Sequence, residues 1–175
     1  ISGDNAATGS VLNEGSIAAG DDGISLSGAN LGSIDNRGTL GSAELPVGDN
    51  GIAVYTTNSG TISNSGTIVA GRDGIYVGAG YPNVIADAET ASEAVAEEPA
   101  PVAANTGTIR NTGTIIASGN GISVADWSPV GPGPIGVMAA VDSEAVAVNA
   151  VVANSGTIEN ATGASITADQ IGIYV

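Results

Sequence analysis

The chain of 175 residues contains no cysteine, histidine, lysine or phenylalanine. The absence of cysteine excludes disulfides and thiolate metal sites, and the absence of histidine excludes the Ser-His-Asp and Cys-His groups of common nucleophilic enzymes. Transition-metal sites, which rely on the same two side chains, are not expected either. We therefore predict a protein that is not an enzyme, with no catalytic residue, no bound metal and no cofactor.

Positive charge is almost as scarce. The chain has three basic residues, Arg37, Arg72 and Arg110, against 18 acidic ones, and its formal net charge is −15. A nucleic-acid partner is not expected because phosphate binding requires a basic surface, and anionic membranes are disfavoured for the same reason. The excess of acidic residues is compatible with a protein of a saline environment, with cation binding or, most simply, with the solubility of a secreted rod-shaped protein.

We find no signal peptide and no apolar segment long enough to span a bilayer.

The chain does contain a repeat that occurs five times: two Asn-x-Gly-Thr-Ile segments followed by Gly-Ile-x-Val. The clearest copy covers residues 58–62, 64–68 and 74–77. Its apolar segments are short, β-branched and separated by Gly, Asn and Asp, which predicts three strands and three corners in each copy. Gly and Asn tolerate positive φ, and we attribute their place at the corners to this property.

Stacked copies of this kind predict an all-β fold: a right-handed parallel β-helix with three sides and about five coils, formed by one domain over residues 1–175. The right-handed winding follows from the general bias of crossover connections and not from a feature of the sequence. Coils start near residues 7, 30, 58, 105 and 154. Side chains that recur in every coil are expected to stack on one another rather than to perform chemistry.

Equivalent side chains of the five copies predict columns inside the solenoid. The first apolar column comprises Val11, Ile34, Ile62, Ile109 and Ile158, and the second Ile17, Leu40, Ile68, Ile115 and Ile166. The third comprises Ile24, Ile52, Ile75, Ile122 and Ile173, with Leu26, Val54, Val77, Val124 and Val175 beside it. A polar column of Asn13, Asn36, Asn64, Asn111 and Asn160 is expected to form a hydrogen-bonded ladder at one corner. The same structural role is predicted for Asp22, Asn50, Asp73 and Asn120, each directly before the Gly of the third strand.

Two long insertions interrupt the repeat at residues 78–104 and 125–153. Both follow the third strand of a coil, so we expect them to leave the solenoid at the same corner. The first contains an Ala- and Glu-rich segment, residues 86–98, that favours a short helix or a disordered acidic arm. The second contains an apolar run, residues 137–153, compatible with a strand against its own solenoid or with a cover for a neighbouring subunit. A smaller insertion, residues 41–49, lies in the second coil.

The best candidates for chemistry are four carboxylates that adjacent coils could bring together: Asp21, Asp22, Asp49 and Asp73. Glycosidases use paired carboxylates. These positions are corners, however, and Arg72 beside Asp73 is the nearby basic residue available as the base that a polysaccharide lyase would need. The Gly-Gly-x-Gly-x-Asp calcium repeat is missing, and residues 71–74 make a poor ligand loop. We therefore expect structural rather than catalytic or metal-binding roles for these residues.

The repeat resembles a known class of surface protein. The segments Asn-Ser-Gly-Thr-Ile, at residues 58–62 and 64–68, and Asp-Gly-Ile-Tyr-Val, at residues 73–77, look like the repeats of bacterial autotransporter passenger domains and related large adhesins. The resemblance covers the five coils, about 100 residues, and not the insertions. It implies a right-handed β-helix that is displayed outside Gram-negative cells.

Three functions are open on these grounds. The first is a non-catalytic extracellular or cell-surface solenoid with a structural or adhesive role. The second is a subunit of a head-to-tail self-assembling extracellular filament, and the third is a polysaccharide-binding or polysaccharide-cleaving β-helix. The expected partners are other copies, bound end to end or through residues 78–104 and 125–153, or a cell-surface polysaccharide or host surface. Because the chain starts at Ile1 and stops at Val175 within a third-strand motif, we expect a processed chain, a segment of a longer protein, or a subunit with covered ends.

Overall fold

The fold was analysed in a computed structural model, which describes residues 1–78, 103–125 and 153–175. These residues form fifteen short strands and no helix. The strands lie in three parallel sheets of five, and each strand pairs with the equivalent strands of neighbouring coils. The predicted three-sided parallel β-helix of about five coils is therefore confirmed, while its right-handed winding stays a prediction.

Each sheet takes one strand from every coil. The first sheet consists of β1 (Ser10–Asn13), β4 (Ser33–Asn36), β7 (Thr61–Asn64), β10 (Thr108–Asn111) and β13 (Thr157–Asn160). The second consists of β2 (Ser16–Ile17), β5 (Thr39–Leu40), β8 (Thr67–Ala70), β11 (Thr114–Ala117) and β14 (Ser165–Ala168). The third consists of β3 (Ile24–Leu26), β6 (Ile52–Val54), β9 (Ile75–Gly78), β12 (Ile122–Ala125) and β15 (Ile173–Tyr174).

The strand register places the predicted apolar side chains above one another. The first, second and third columns are paired residue by residue through all five coils. Their members in the second, third and fourth coils are 0% exposed, so the core is a continuous aliphatic rod. The prediction is wrong for Val175, which lies beyond the end of β15 and is 59% exposed.

The predicted asparagine ladder is confirmed, and a second one accompanies it. In the first, the amide nitrogen of each residue from Asn13 to Asn111 donates to the amide oxygen of the next, at 2.7–2.8 Å. The second ladder runs through Asn5, Asn30, Asn58, Asn105 and Asn154 at 2.6–2.7 Å. Both ladders donate in the same direction, from each coil to the following one. The ladder amides also donate to carbonyl groups at the corners, from Asn30 to Thr61 at 3.3 Å and from Asn58 to Gly60 at 3.4 Å.

The repeat glycines are needed for a different reason from the one that the sequence suggested. Among the described glycines, positive φ occurs at Gly3, Gly41 and Gly163, and none of these belongs to an Asn-x-Gly-Thr segment. A Cβ atom on Gly66 would instead overlap the carbonyl oxygen of Gly38 in the coil below. The corners therefore require glycine because successive backbones lie too close for any side chain, and the interpretation from positive φ was wrong for them.

Replacement of Gly66 by alanine is expected to lower the free energy of unfolding by about 1–3 kcal/mol or more, because two backbones would have to separate. Gly15 occupies the same place in the first coil, and a Cβ atom there would meet nothing within 4 Å. Gly15→Ala is the matched control and should be neutral or stabilising by up to about 1 kcal/mol. Urea denaturation followed by circular dichroism measures both; equal losses would contradict the close-approach explanation.

The smaller insertion returns a side chain to the core that the sequence did not reveal. Val47 is fully buried and forms an isolated parallel bridge with Ala70 at the end of β8. The chain turns back through Ser42, whose amide donates to the carbonyl of Leu45 at 2.8 Å. Residues 41–46 therefore form a surface excursion, and the coil is completed by Val47.

The two long insertions begin at neighbouring points of the solenoid. Gly78 and Ala125, the last residues of β9 and β12, are partners in register. The chain is again described from residues 103 and 153, where the carbonyl groups of Ala104 and Ala153 accept hydrogen bonds from Asn58 and Asn105. The predicted helix or arm at residues 86–98 and most of the apolar run at 137–153 lie outside the described residues. Within the described ranges, no helix is long and apolar enough to cross a membrane.

Candidate functional site

The candidate carboxylates all lie where each coil turns into its third strand. We call this the third corner; it comprises residues 20–23, 48–51, 71–74, 118–121 and 169–172. Its backbones stack through hydrogen bonds, from the amide of Asp49 to the carbonyl of Asp21 at 3.2 Å and from the amide of Arg72 to the carbonyl of Asp49 at 3.0 Å. This stacking is kept in the second coil, despite its insertion, because Val47 pairs with Ala70 and returns the chain to register five residues before the third strand.

Three of the four carboxylates come together at the third corner of the first two coils. One carboxylate oxygen each from Asp21, Asp22 and Asp49 lies within 4.8 Å of the other two. Asp21 is exposed, and the other two are half-buried. We call these three residues the acidic cluster. The fourth candidate, Asp73, is not a member of it.

Asp22 is held in place by hydrogen bonds on both of its oxygen atoms. Its Oδ1 accepts from the backbone amide of Asn50 at 3.1 Å and from the side-chain amide of Asn50 at 3.0 Å. Its Oδ2 accepts from the Tyr55 hydroxyl at 2.7 Å. These bonds give Asp22 one fixed orientation beside Asp21 and Asp49.

Tyr55 is the aromatic residue of this network. Burial and the hydrogen bond to Asp22 raise the pKa of its hydroxyl above the ordinary value of 10.0. The hydroxyl therefore stays protonated and donates to Asp22 at neutral pH. The pKa of the Tyr55 hydroxyl is thus higher in the folded protein than in the unfolded chain. The contribution of this shift to the free energy of unfolding is therefore present below pH 10.0 and is lost as the pH rises above that value. The Tyr55 ring also lies 5.8 Å from that of Tyr76, in a tilted arrangement.

Asp73 has a structural role in the third coil. It is 4% exposed, and its Oδ1 accepts from the backbone amide of Asn120 in the next coil at 2.7 Å. Asp22 makes the same bond to Asn50, so both aspartates satisfy the amide of the following coil, as their place before the glycine predicts.

Arg72 forms an ion pair with Asp49, at 3.6 Å between its NH1 nitrogen and Asp49 Oδ2, and not with its sequence neighbour Asp73. Arg72 therefore pairs with a carboxylate of the neighbouring coil and not with the one next to it in the sequence. The Arg72 and Asp49 side chains are 60% and 30% exposed. An exposed pair of this kind contributes about 0–1 kcal/mol.

The other two arginines are also paired. Arg37 contacts Asp35 at 2.6 Å and Glu14 at 3.5 Å, and Arg110 contacts Glu159 at 2.9 Å. All three basic side chains of the protein therefore lie against carboxylates on or next to their own coil. Among the acidic residues that the structure describes, most form no ion pair with an arginine.

No protein-family model, curated protein or solved structure matches this chain. The chemistry of the third corner is thus defined by its own side chains. They provide carboxylate and amide oxygen atoms and one guanidinium, with the Tyr55 phenol next to Asp22, and no imidazole or thiol, because the chain contains neither.

One member of the network and one contact within it were not predicted. Tyr55 follows β6 directly and reaches Asp22 across 33 positions of sequence, and no periodic signal marks it. Asn50 was predicted as a corner residue, but its contact with the Tyr55 hydroxyl, at 3.4 Å, was not. A polar residue before the repeated Gly-Ile in the first four coils was the available signal, and it specified the corner without specifying the partners.

Proposed function

We propose that this protein is a non-catalytic β-solenoid of the bacterial cell surface or exterior with a structural or adhesive role, similar in kind to autotransporter passenger domains. The observation that carries the proposal is the use of the repeated polar residues. Ten asparagines form the two ladders, and the aspartates Asp22 and Asp73 bond to the next coil. The conspicuous residues of the repeat thus maintain the rod and leave its outer surface for contact with partners.

Regular rows of hydroxyl groups on the outer surface support an adhesive role. One row on the first sheet comprises Ser10, Ser33, Thr61, Thr108 and Thr157, and one on the second comprises Ser16, Thr39, Thr67, Thr114 and Ser165. The third side differs, because two of its outward residues, Ala53 and Ser123, are buried. Contacts with a polysaccharide or a host surface are therefore best supported on the first two sides.

The test of this proposal measures binding and cleavage on the same substrates. The purified chain is incubated with uronate and neutral polysaccharides, and we expect no new reducing or unsaturated ends. Beads coated with the chain should adhere to bacterial or host cells more than beads coated with an unrelated acidic protein of similar net charge. Turnover that disappears in Asp49→Asn, with unchanged circular dichroism, would instead favour the polysaccharide-cleaving alternative.

A second candidate function, a head-to-tail filament, is supported by the fifth coil. Its strands pair on one edge alone, and four of its apolar residues are exposed: Ile171, Ile173, Tyr174 and Val175. Both ladders end in this coil, at Asn154 and Asn160, whose amide nitrogens are the donors that would bond to a further coil. Because the ladders and the parallel strands have a direction, such a surface fits the first coil of another copy, and not a second fifth coil.

Sedimentation velocity and electron microscopy test the filament. We expect concentration-dependent association that increases with salt, because a net charge of −15 repels other copies. Ile173→Lys should abolish it, since the charge lies on the exposed apolar surface of the fifth coil. Leu45→Lys, an exposed leucine on the excursion of the second coil, is the control. Monodisperse short rods under every condition would exclude the filament and leave the adhesive proposal standing.

A further inference from the structure

The corner that joins one coil to the next has the same short form in the first two coils. Three residues there connect the last core residue of the third strand to an asparagine of the second ladder: residues 27–29 in the first coil and residues 55–57 in the second. Before these residues, Leu26 is the register partner of Val54. After them, Asn30 forms a parallel bridge with Asn58. We call this three-residue corner the coil junction.

The two long insertions begin at the first place of a coil junction. Val77 is the register partner of Val54. Gly78 therefore takes the place that Tyr55 has in the second coil. In the fourth coil, Ala125 pairs with Gly78 and takes the same place. Both insertions thus start one residue after a core valine, where the short junction also starts.

The insertions end at the last place of a coil junction. In the second coil, the carbonyl of Thr57 accepts a hydrogen bond from the amide of Asn30 at 2.9 Å. The carbonyl of Ala104 accepts one from the amide of Asn58 at 2.8 Å, and that of Ala153 accepts one from the following ladder asparagine at 3.0 Å. Both insertions therefore end where the short junctions end, directly before the first ladder residue of the next coil.

Between its first and last places, a short junction contains one residue, which is Thr56 in the second coil. The two neighbours of a single residue are at most about 7 Å apart. The third and fourth coils have residues 79–103 and 126–152 between the same two places. We infer that the coil junction is a permissive insertion site: the solenoid is complete without these two segments, and it accepts a segment at this point in other coils as well.

The interior of the rod is uninterrupted where the first insertion occurs. Asn58 donates to Asn105 at 2.7 Å across this insertion, as Asn30 donates to Asn58 at 2.6 Å across a short junction. Ile75 and Ile122, which precede and follow the insertion in the same column, are both 0% exposed. Because the entropy cost of closing a loop increases slowly with its length, a long segment between two fixed ends costs the solenoid little stability.

The corner between the first and second strands provides a contrast. The backbone amides of Ser65 and Gly66 both donate to the carbonyl of Asn36 in the preceding coil, at 2.8 and 3.1 Å. The space that a Cβ atom on Gly66 would need is occupied by the backbone of that coil. A segment inserted here would separate backbones that are in contact, so this corner should tolerate it less than the coil junction does.

Two trimmed variants test whether the solenoid is complete. One replaces residues 79–103 and the other replaces residues 126–152 by a single threonine, which copies the short junction of the second coil. We expect both to keep the circular dichroism of a β-sheet and one cooperative thermal transition. Its midpoint should stay unchanged or rise by up to about 10 °C, because the loop to be closed is shorter. Loss of the transition, or a lower midpoint, in either variant would overturn the inference.

The converse variant adds a segment to a short junction. A Gly- and Ser-rich segment of about 25 residues with an antibody epitope replaces Thr56, whose hydroxyl has no hydrogen-bond partner to lose. This variant should stay folded, bind the antibody and lose about 10 °C or less in its thermal midpoint. The control carries the same segment between Ser65 and Gly66 and should lose much more or show no cooperative transition. Equal losses would overturn the inference, because the junction would then tolerate a segment no better than a corner filled by backbone contacts.

Discussion

Ile115→Ala is expected to lower the free energy of unfolding by about 2–5 kcal/mol. Ile115 is 0% exposed in β11 and lies between Ile68 and Ile166 in the second apolar column. Its Cγ2 atom occupies the space that a side chain on Gly74 would need, so it also packs against the corner of the coil below. Truncation leaves a cavity in a narrow core where the rigidly stacked neighbours have little freedom to collapse.

The chain contains a matched control for this substitution. Ile116 is the next residue of the same strand, points outward and is 42% exposed. Ile116→Ala should cost about 0.5 kcal/mol or less, because it removes little buried surface. Urea denaturation followed by circular dichroism gives both values. Similar losses for the two variants would mean that the inward and outward faces of β11 are not distinguished as described.

Asn64→Ala should cost about 2–5 kcal/mol, although it removes a polar residue. Asn64 is fully buried in the middle of the first ladder, where it accepts from Asn36 at 2.7 Å and donates to Asn111 at 2.8 Å. Its loss leaves a buried donor on one side and a buried acceptor on the other, each costing about 1–3 kcal/mol. The hydrogen bonds that remain to the two orphaned atoms, Asn36 Nδ2 and Asn111 Oδ1, are 3.3 Å or longer.

Asn160 provides the control, because it is the last member of the same ladder and is exposed. Asn160→Ala removes one ladder bond, and the Asn111 amide keeps the carbonyl groups of Ser165 and Gly113 at 3.2 and 3.3 Å. We expect a loss of about 1 kcal/mol or less. The two variants are compared by urea denaturation at neutral pH. If both cost the same, the ladder would fill the corner without contributing hydrogen-bond stability.

The periodic part of this molecule was predictable from the sequence. Residues at the same place in successive copies must stack if the copies form coils, so Ile34, Ile62 and Ile109 could be assigned to one column without knowledge of any distance. The first ladder followed from the same argument applied to asparagine. The second ladder, through Asn30, Asn58 and Asn105, carried the same signal and could have been predicted with it.

The residues that break the period were not predictable. Val47 enters the core from an insertion, and its neighbours are apolar as well, so composition does not distinguish it. Tyr55 contacts Asp22 because two corners of different coils come together, and this depends on the path of the chain between them. The role of Gly66 was also misassigned, because a sequence records the absence of a side chain and does not show whether the backbone angle or a neighbouring carbonyl requires it.

By itself, the sequence determined that this protein is a three-sided parallel β-solenoid with an aliphatic core, since a repeat of this length has one way to pair each strand with its own copies. It also determined which chemistry is absent, because the chain lacks histidine and cysteine. The tertiary structure alone decided that Asp21, Asp22 and Asp49 share one corner, that Arg72 pairs with Asp49, and that an amide oxygen of Asn50 is buried beside them. The physical reason is that stacking fixes equivalent residues relative to one another, whereas contacts between non-equivalent residues depend on the angles at which each corner directs its side chains.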